Sequence, residues 1–288
     1  MHSYLKSIGF SKISKKELDD ILKDVIHHYD EKYVSESESH NVFAEYMKYY
    51  ACGCGISVCG EFEEGGSFRI EYYYPFFRGS GITTQEKVMV ERHAEKESFA
   101  GACDDLRIGV TLIFYLQNPA EYMKTGKRER ENVRPLILSG LAEEGKILFA
   151  VQKDKELVKI EQESTRTRNN LIEAARNGDE DAMESLTMED MDMYSMITRR
   201  IEKEDIMSIV DSYFMPYGIE CDRYGVMGEI KSFSYHENEK TGEKLCRITL
   251  ETNDLQFDVV INEKDLLGEP AVGRRFKGNV WLQGQIQY

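Results

Sequence analysis

Residues 245–262 read LCRITLETNDLQFDVVIN, two apolar-rich runs separated by Asn253-Asp254. Asn and Asp tolerate the left-handed backbone that a two-residue hairpin turn demands, so the pair predicts a tight reversal. Folding back there sets Leu250 opposite Phe257, Ile248 opposite Val259 and Cys246 opposite Ile261, an unbroken apolar face. The other face sets Glu251 against Gln256 and Thr249 against Asp258. A one-residue slip would turn apolar side chains to the polar face, so turn chemistry and pattern agree on one register. Strands are also expected at 225–235 and 276–286. Together they predict a small, strongly bent sheet or barrel over residues 216–288, OB-like in form. Gly278 and Gly284 are expected to relieve crowding in the last strand.

Upstream, the character is helical and acidic. Residues 155–177 read as a polar helix closed by Gly178, with Asp179 capping the next and Thr187-Met188-Glu189-Asp190 resembling another start. The helical pattern runs to about Tyr213, and Pro216-Tyr217-Gly218 supplies the stop. Residues 155–215 are thus expected to form a connector. Residues 155–224 carry 17 acidic against 9 basic side chains, so this region holds over half of the net charge of −15. Seven of the twelve methionines lie here, at 183, 188, 191, 193, 196, 207 and 215. Helical spacing favours burial of this stripe, and an adaptable partner-binding surface is the alternative.

Residues 1–154 read as an α+β module: a mostly antiparallel sheet with packed helices. Ser14-Lys15-Lys16-Glu17 is a capping box. Leu18, Ile21, Leu22, Val25, Ile26, Tyr29 and Tyr33 follow helical spacing, and the helix is expected to end before Ser35. Residues 41–50 read as a further helix. In CGCGISVCG (52–60) the period becomes two, with Cys52, Cys54, Ile56 and Val58 on one face and Gly53, Gly55, Ser57 and Cys59 on the other. A hairpin pairing Phe62 with Phe68 puts Glu61 opposite Arg69, whereas sliding it by two opposes Glu61 and Glu71. Strands follow at 87–93 and 108–116. A hairpin is expected from 136–142 and 146–151, turning at Glu144-Gly145.

Function classes are narrowed by exclusion. The net charge of −15 argues against a nucleic-acid or anionic-membrane partner. No apolar run approaches the ~20 residues that span a bilayer, and MHSYLKSIGFSKISKKELDD lacks a signal-peptide core, so a cytoplasmic location is expected. Six cysteines in such a chain read as free thiols. No metal site is expected. The three cysteines of 52–60 have C-x-C-x4-C spacing with no second pair, and strand parity separates Cys59 from Cys52 and Cys54. His27-His28 point about 100° apart on a helix. In GDEDAMESLTME, Met183 and Glu184 stand where a calcium loop needs an oxygen ligand and glycine. Gly79-Ser80-Gly81 lacks the lysine of a phosphate loop, and no cofactor is expected.

Two clusters retain chemical interest. His93, Cys103, Asp104 and Asp105 combine imidazole, thiol and carboxylates, the groups for acid–base or nucleophilic hydrolysis, although an Asp104–Asp105–Arg107 ion cluster in a polar loop is the simpler reading. Trp281, the sole tryptophan, shares a strand face with Lys277, Asn279, Gln283 and Gln285, opposite Phe276, Val280, Leu282 and Ile286, and follows Arg274 and Arg275. Exposed, that face would stack single-stranded bases or a small ligand. Buried, it would dock the barrel onto the rest of the chain.

ISVCGEF, VTLIFYLQN, NGDEDAMESLTMEDMDMYSMI with SIVDSYFMPYGIECD, and GNVWLQG resemble an uncharacterised bacterial family of hypothetical proteins over nearly the full length. The resemblance implies a domain of unknown function and carries no site residues. The expectation is a non-enzymatic protein acting through protein contacts or self-association, with the connector and the Trp281 face as candidate surfaces.

Overall fold

The computed structural model describes residues 1–36, 41–92, 97–105, 107–125, 134–150 and 210–288, with 167, 170–175, 178–188 and 191 between them. The described chain is mostly sheet with few helices. β1 (Glu31–Glu36), β2 (Val42–Ala51), β3 (Cys54–Phe62) and β4 (Phe68–Phe77) form an antiparallel four-stranded sheet in chain order. Helix α1 (Lys15–His27) packs on β2 and β3. Its capping box is made in full, Glu17 N–H donating to Ser14 Oγ and Ser14 N–H to the Glu17 carboxylate. Leu18, Ile21, Leu22 and Val25 are buried.

The second sheet holds β5 (Val88–Arg92), β6 (Phe99–Asp104), β7 (Thr111–Leu116), β8 (Leu136–Leu148), β9 (Tyr213–Pro216), β10 (Arg223–Glu237), β11 (Lys244–Thr252), β12 (Leu255–Asn262), β13 (Leu266–Leu267) and β14 (Arg275–Ile286). Five of them close a barrel. β8 pairs parallel with β12 and antiparallel with β14, β14 pairs β10, β10 pairs β11, and β11 pairs β12. The end of β14 also pairs parallel with β7, which joins β5 and β6 to the barrel.

The hairpin of residues 245–262 folds as its sequence requires. Leu250 pairs Phe257, Ile248 pairs Val259 and Cys246 pairs Ile261, all six buried. Asn253 and Asp254 both take positive φ, 49° and 61°, the backbone of the tight primed turn. The β3–β4 register likewise pairs Phe62 with Phe68 and Glu61 with Arg69. Gly178 (φ 89°) and Asp179, which accepts from Ala182 N–H at 3.1 Å, end one helix and cap the next. Most of the expected connector lies outside the described residues.

Four expectations are overturned, each because strand pairing claims the segment. Residues 136–148 run on as one strand, with no turn at Glu144-Gly145. Gly145 instead pairs Gly278, and a Cβ on Gly145 would lie 2.4 Å from the Phe276 ring. The glycine marks a close approach inside the barrel, not a reversal. Gly278 and Gly284 are similarly crowded, by Phe276 and Phe114. The segment expected to be a helix at 41–50 is β2, whose two faces are both covered, which erases the alternation that would betray a strand. Helix α1 stops at His27, and Tyr33 belongs to β1, which pairs with β2. The polar-loop reading around Cys103 also fails, since β6 occupies 99–104. The barrel thus takes four staves from residues 216–288 and its fifth, β8, from far upstream.

Candidate functional site

Cys103 pairs with Val88 and Leu112 across β5, β6 and β7 and is buried, which pushes its thiol up to about 12. That is far from the thiolate a nucleophile needs. Asp104 is exposed and accepts from Thr111 Oγ1. Asp105 is buried and accepts two guanidinium bonds from Arg107, which also donates to the carbonyls of Thr83 and Asp254. The ion cluster therefore forms between Asp105 and Arg107 without Asp104. His93 lies outside the described residues. The thiol and the two carboxylates face three different surroundings, not one cleft.

Trp281 is buried, and its Nε1–H donates to Asp222 Oδ2 at 2.7 Å. Its ring lies 5.5 Å from Tyr4, 4.7 Å from His2 and 5.1 Å from Tyr115. The indole docks the N-terminal segment and β7 onto the barrel, so no exposed stacking face exists there. Arg275 is buried and donates to the carbonyls of Phe149 and Val210. Arg274 donates to the Glu269 carbonyl and covers the Phe149 ring. Lys277 pairs with Met227 of β10 and Lys146 of β8. The two arginine guanidiniums are spent along the barrel wall.

The stretch 52–60 resolves differently from its first reading. Cys52 and Gly53 form the β2–β3 turn with Gly53 at φ 75°, and Cys52 is exposed, not an extension of the apolar face. Cys54 and Cys59 are buried. Gly55 receives the Phe76 ring, against which a Cβ would lie 2.5 Å away. On that same face Ser57 Oγ–H donates to Glu45 Oε1 at 2.9 Å and Tyr74 Oη–H to the same oxygen at 2.7 Å. Tyr74 Oη also lies 3.1 Å from the Gln117 carbonyl, beyond the end of β7. Burial raises the Glu45 carboxyl to about 7, and the bonds from Tyr74 and Ser57 only partly offset it. The Cys59 thiol, 3.7 Å from Ser57 Oγ, is pushed well up by burial and then by Glu45, so it is an inert core group. Reading 41–50 as a helix hid this carboxylate. The available signal was one Glu inside the aromatic run VFAEYMKYY. Among the described residues, no three His, Cys, Asp or Glu side chains are arranged to hold a metal ion.

A family model described as a domain of unknown function from an E. rectale gene description (DUF3881) matches residues 5–284. The chain belongs to this family. No curated protein and no solved structure matches. The family description assigns no reaction or ligand. No helix among the described residues is long and apolar enough to cross a membrane.

The most distinctive surface feature is the outer half of β10. β14 pairs only with Arg223–Glu229, and a bulge between Ile230 and Ser232 resets the pairing with β11. Beyond it, Ser232, Phe233, Ser234 and Tyr235 are four consecutive exposed strand residues. The β11 partners of Phe233 and Tyr235, Ile248 and Cys246, are fully buried. Phe233 and Tyr235 touch edge to face at 6.0 Å while remaining 37% and 46% exposed. Among the described residues no strand pairs the other side of 231–237. Met183, Met188, Met191 and Met215 are also exposed, against the expectation of a buried methionine stripe.

Proposed function

We propose that this family member is a non-enzymatic, cytoplasmic interaction or assembly protein, whose OB-like barrel offers the free edge of β10 to an extended strand of a protein partner. The edge over residues 231–237 carries the proposal, because main-chain groups supply affinity in strand addition and alternate side chains supply choice. Phe233 and Tyr235 are the alternate side chains here, and both are exposed. The buried thiols of Cys54, Cys59, Cys103 and Cys246 and the buried Trp281 lend nothing to an enzymatic or base-stacking reading.

The ladder dictates the test. Asn238 N–H bonds the Glu243 carbonyl, and alternation back from it turns the amides of His236, Ser234 and Ser232 toward β11. Those of Phe233, Tyr235 and Glu237 then point to the open edge. Phe233→Pro therefore removes an outward N–H and spares the β11 ladder. With a photo-crosslinker replacing Tyr235 in cells, discrete adducts are expected and should vanish when Phe233→Pro is added. No adducts, or adducts indifferent to the proline, would overturn the proposal.

A further inference from the structure

We infer that Trp281, Tyr115 and Tyr74 form a relay that carries a one-electron oxidising equivalent away from the barrel seam to Tyr74, whose phenol proton passes to Glu45. The β10 edge plays no part in it. The three rings stand in a row, 5.1 Å from Trp281 to Tyr115 and 4.8 Å from Tyr115 to Tyr74, so each touches the next. Indoles and phenols lose one electron readily once their acidic hydrogen has a base to go to. Both ends of the row provide one: Trp281 Nε1–H donates to Asp222 Oδ2 and Tyr74 Oη–H to Glu45 Oε1, each at 2.7 Å. An indolyl radical oxidises a phenol at neutral pH, which sets the direction. Tyr4 also touches Trp281, at 5.5 Å, but the Arg223 guanidinium lies over its ring and opposes removal of an electron there. Tyr72, 6.4 Å beyond Tyr74, donates to the Glu97 carbonyl, which cannot take a proton. The oxidising equivalent therefore stops at Tyr74.

Electrons and protons balance with a small inorganic radical such as azide as the oxidant. The radical takes one electron from the Trp281 indole and becomes its anion, and the indole N–H proton shifts to the Asp222 carboxylate. The indolyl radical then takes one electron from the Tyr74 phenol by way of the Tyr115 ring. The phenol O–H bond breaks, its proton bonds to the Glu45 carboxylate, and the Asp222 proton returns to the indole nitrogen. Intact Trp281, protonated Glu45 and a Tyr74 phenoxyl remain. Glu45 accepts only when ionised, and burial raises its carboxyl to about 7, so the relay quickens as pH rises through that value. Of the groups around it, Arg78 and Glu31 are held in a two-bond ion pair at 3.0 and 2.9 Å. Burial keeps Cys59 of β3, Tyr72 and Tyr74 of β4 and Tyr115 of β7 protonated, well above their usual values. Helix α2 (Pro119–Thr125), packed on β1 and β2, adds Tyr122, Lys124 and Glu121, the last accepting from Asn118.

Pulse radiolysis of the full chain with azide radical tests this, read in the absorption bands of the indolyl and phenoxyl radicals. Trp281→Phe has no indole and supplies the background of phenoxyl formed directly at other tyrosines. In the wild type the indolyl band is expected to decay as the phenoxyl band rises, at one rate that does not depend on protein concentration. That coupled phase should be lost in Tyr74→Phe, slowed about tenfold in Tyr115→Phe and kept in Tyr4→Phe. In Glu45→Gln it should be slow and flat from pH 5 to pH 8, where the wild-type rate climbs through about 7. These tyrosine and Glu45 substitutions keep the ring or the side-chain shape, and unchanged Trp281 fluorescence checks the fold of each. An indolyl radical that decays with no phenoxyl rise overturns the relay. So does a coupled phase that survives Tyr74→Phe or vanishes in Tyr4→Phe. A pH profile that Glu45→Gln leaves unchanged overturns the assignment of Glu45 as the proton acceptor.

Discussion

Replacing Glu45 by Gln should make the protein less sensitive to pH, with an amplitude set by the burial of that carboxyl. Glu45 is fully enclosed by Ser57 and Cys59 of β3, Tyr72 and Tyr74 of β4 and Tyr115 of β7, with Arg78 and Glu31 as the nearer charges. Its carboxyl titrates near 7 in the fold against 4.5 when free. Between those values the folded chain keeps the proton and the unfolded chain sheds it. The associated stability is therefore fully present below pH 4.5 and is lost as pH rises through 7. At about 1.4 kcal/mol per tenfold in proton affinity, the loss is about 3 kcal/mol. Gln has the shape of the protonated acid, still accepts from Ser57 and Tyr74, and cannot ionise. Urea unfolding of both proteins from pH 5 to pH 8 is the assay. The variant should gain on the wild type by about 2.5 kcal/mol across that range, the rest of the loss falling below pH 5. Parallel stability curves would refute the assignment of this titration to Glu45.

Three further outcomes are expected. A thiol reagent should label Cys52 and Cys221 in the native protein and reach Cys54, Cys59, Cys103 and Cys246 only on unfolding, as followed by mass spectrometry. Gly101→Ala would place a methyl 2.1 Å from the Phe114 ring, which is already wedged against Gly284, and should lower stability by about 1–3 kcal/mol in denaturant titration. Asp258 is fully buried and accepts from Ser80 N–H and Oγ–H, Thr249 Oγ1–H and Arg247. Burial alone would raise its carboxyl, but the bonds from Thr249, Arg247 and Ser80 outweigh that and hold it below its usual value of 3.8. Its stabilisation is thus present above pH 3.8 and lost as pH falls below it. Asp258→Asn should cost about 3 kcal/mol at neutral pH, measured by the same unfolding assay, and progressively less in acid.

The candidate site was only partly legible in the sequence. The β10 strand itself could be read at 225–235, but its register with β11 could not, because a bulge between Ile230 and Ser232 resets it. That its outer half is free could not, because the answer depends on where β14 stops pairing, at Arg275 opposite Glu229. Trp281 shows the converse. Its place on one face with polar residues suggested an exposed ring, yet Tyr4, His2 and Tyr115 arrive from remote parts of the chain to cover it.

What the residues determine by themselves is local. The Asn253-Asp254 turn, the Ser14–Glu17 capping box, the Gly178–Asp179 helix boundary and the Glu61–Arg69 register each depend on groups a few positions apart. Their geometry is settled within one turn or hairpin. Tertiary structure decides what contiguous chain cannot express. β8 becomes a barrel stave because β12 and β14 flank it, and its Gly145 serves a ring on β14 instead of a turn. β2 is a strand because β1 and β3 take its hydrogen bonds, with both faces covered so that no period survives. Glu45 holds its proton near neutrality only because two sheets close around it. The physical reason is common to all three: strand pairing and burial are satisfied by partners outside the segment itself, adjacent for β2 and far along the chain for β8 and Glu45, and side-chain patterning records the face a residue turns to, not the neighbour that meets it.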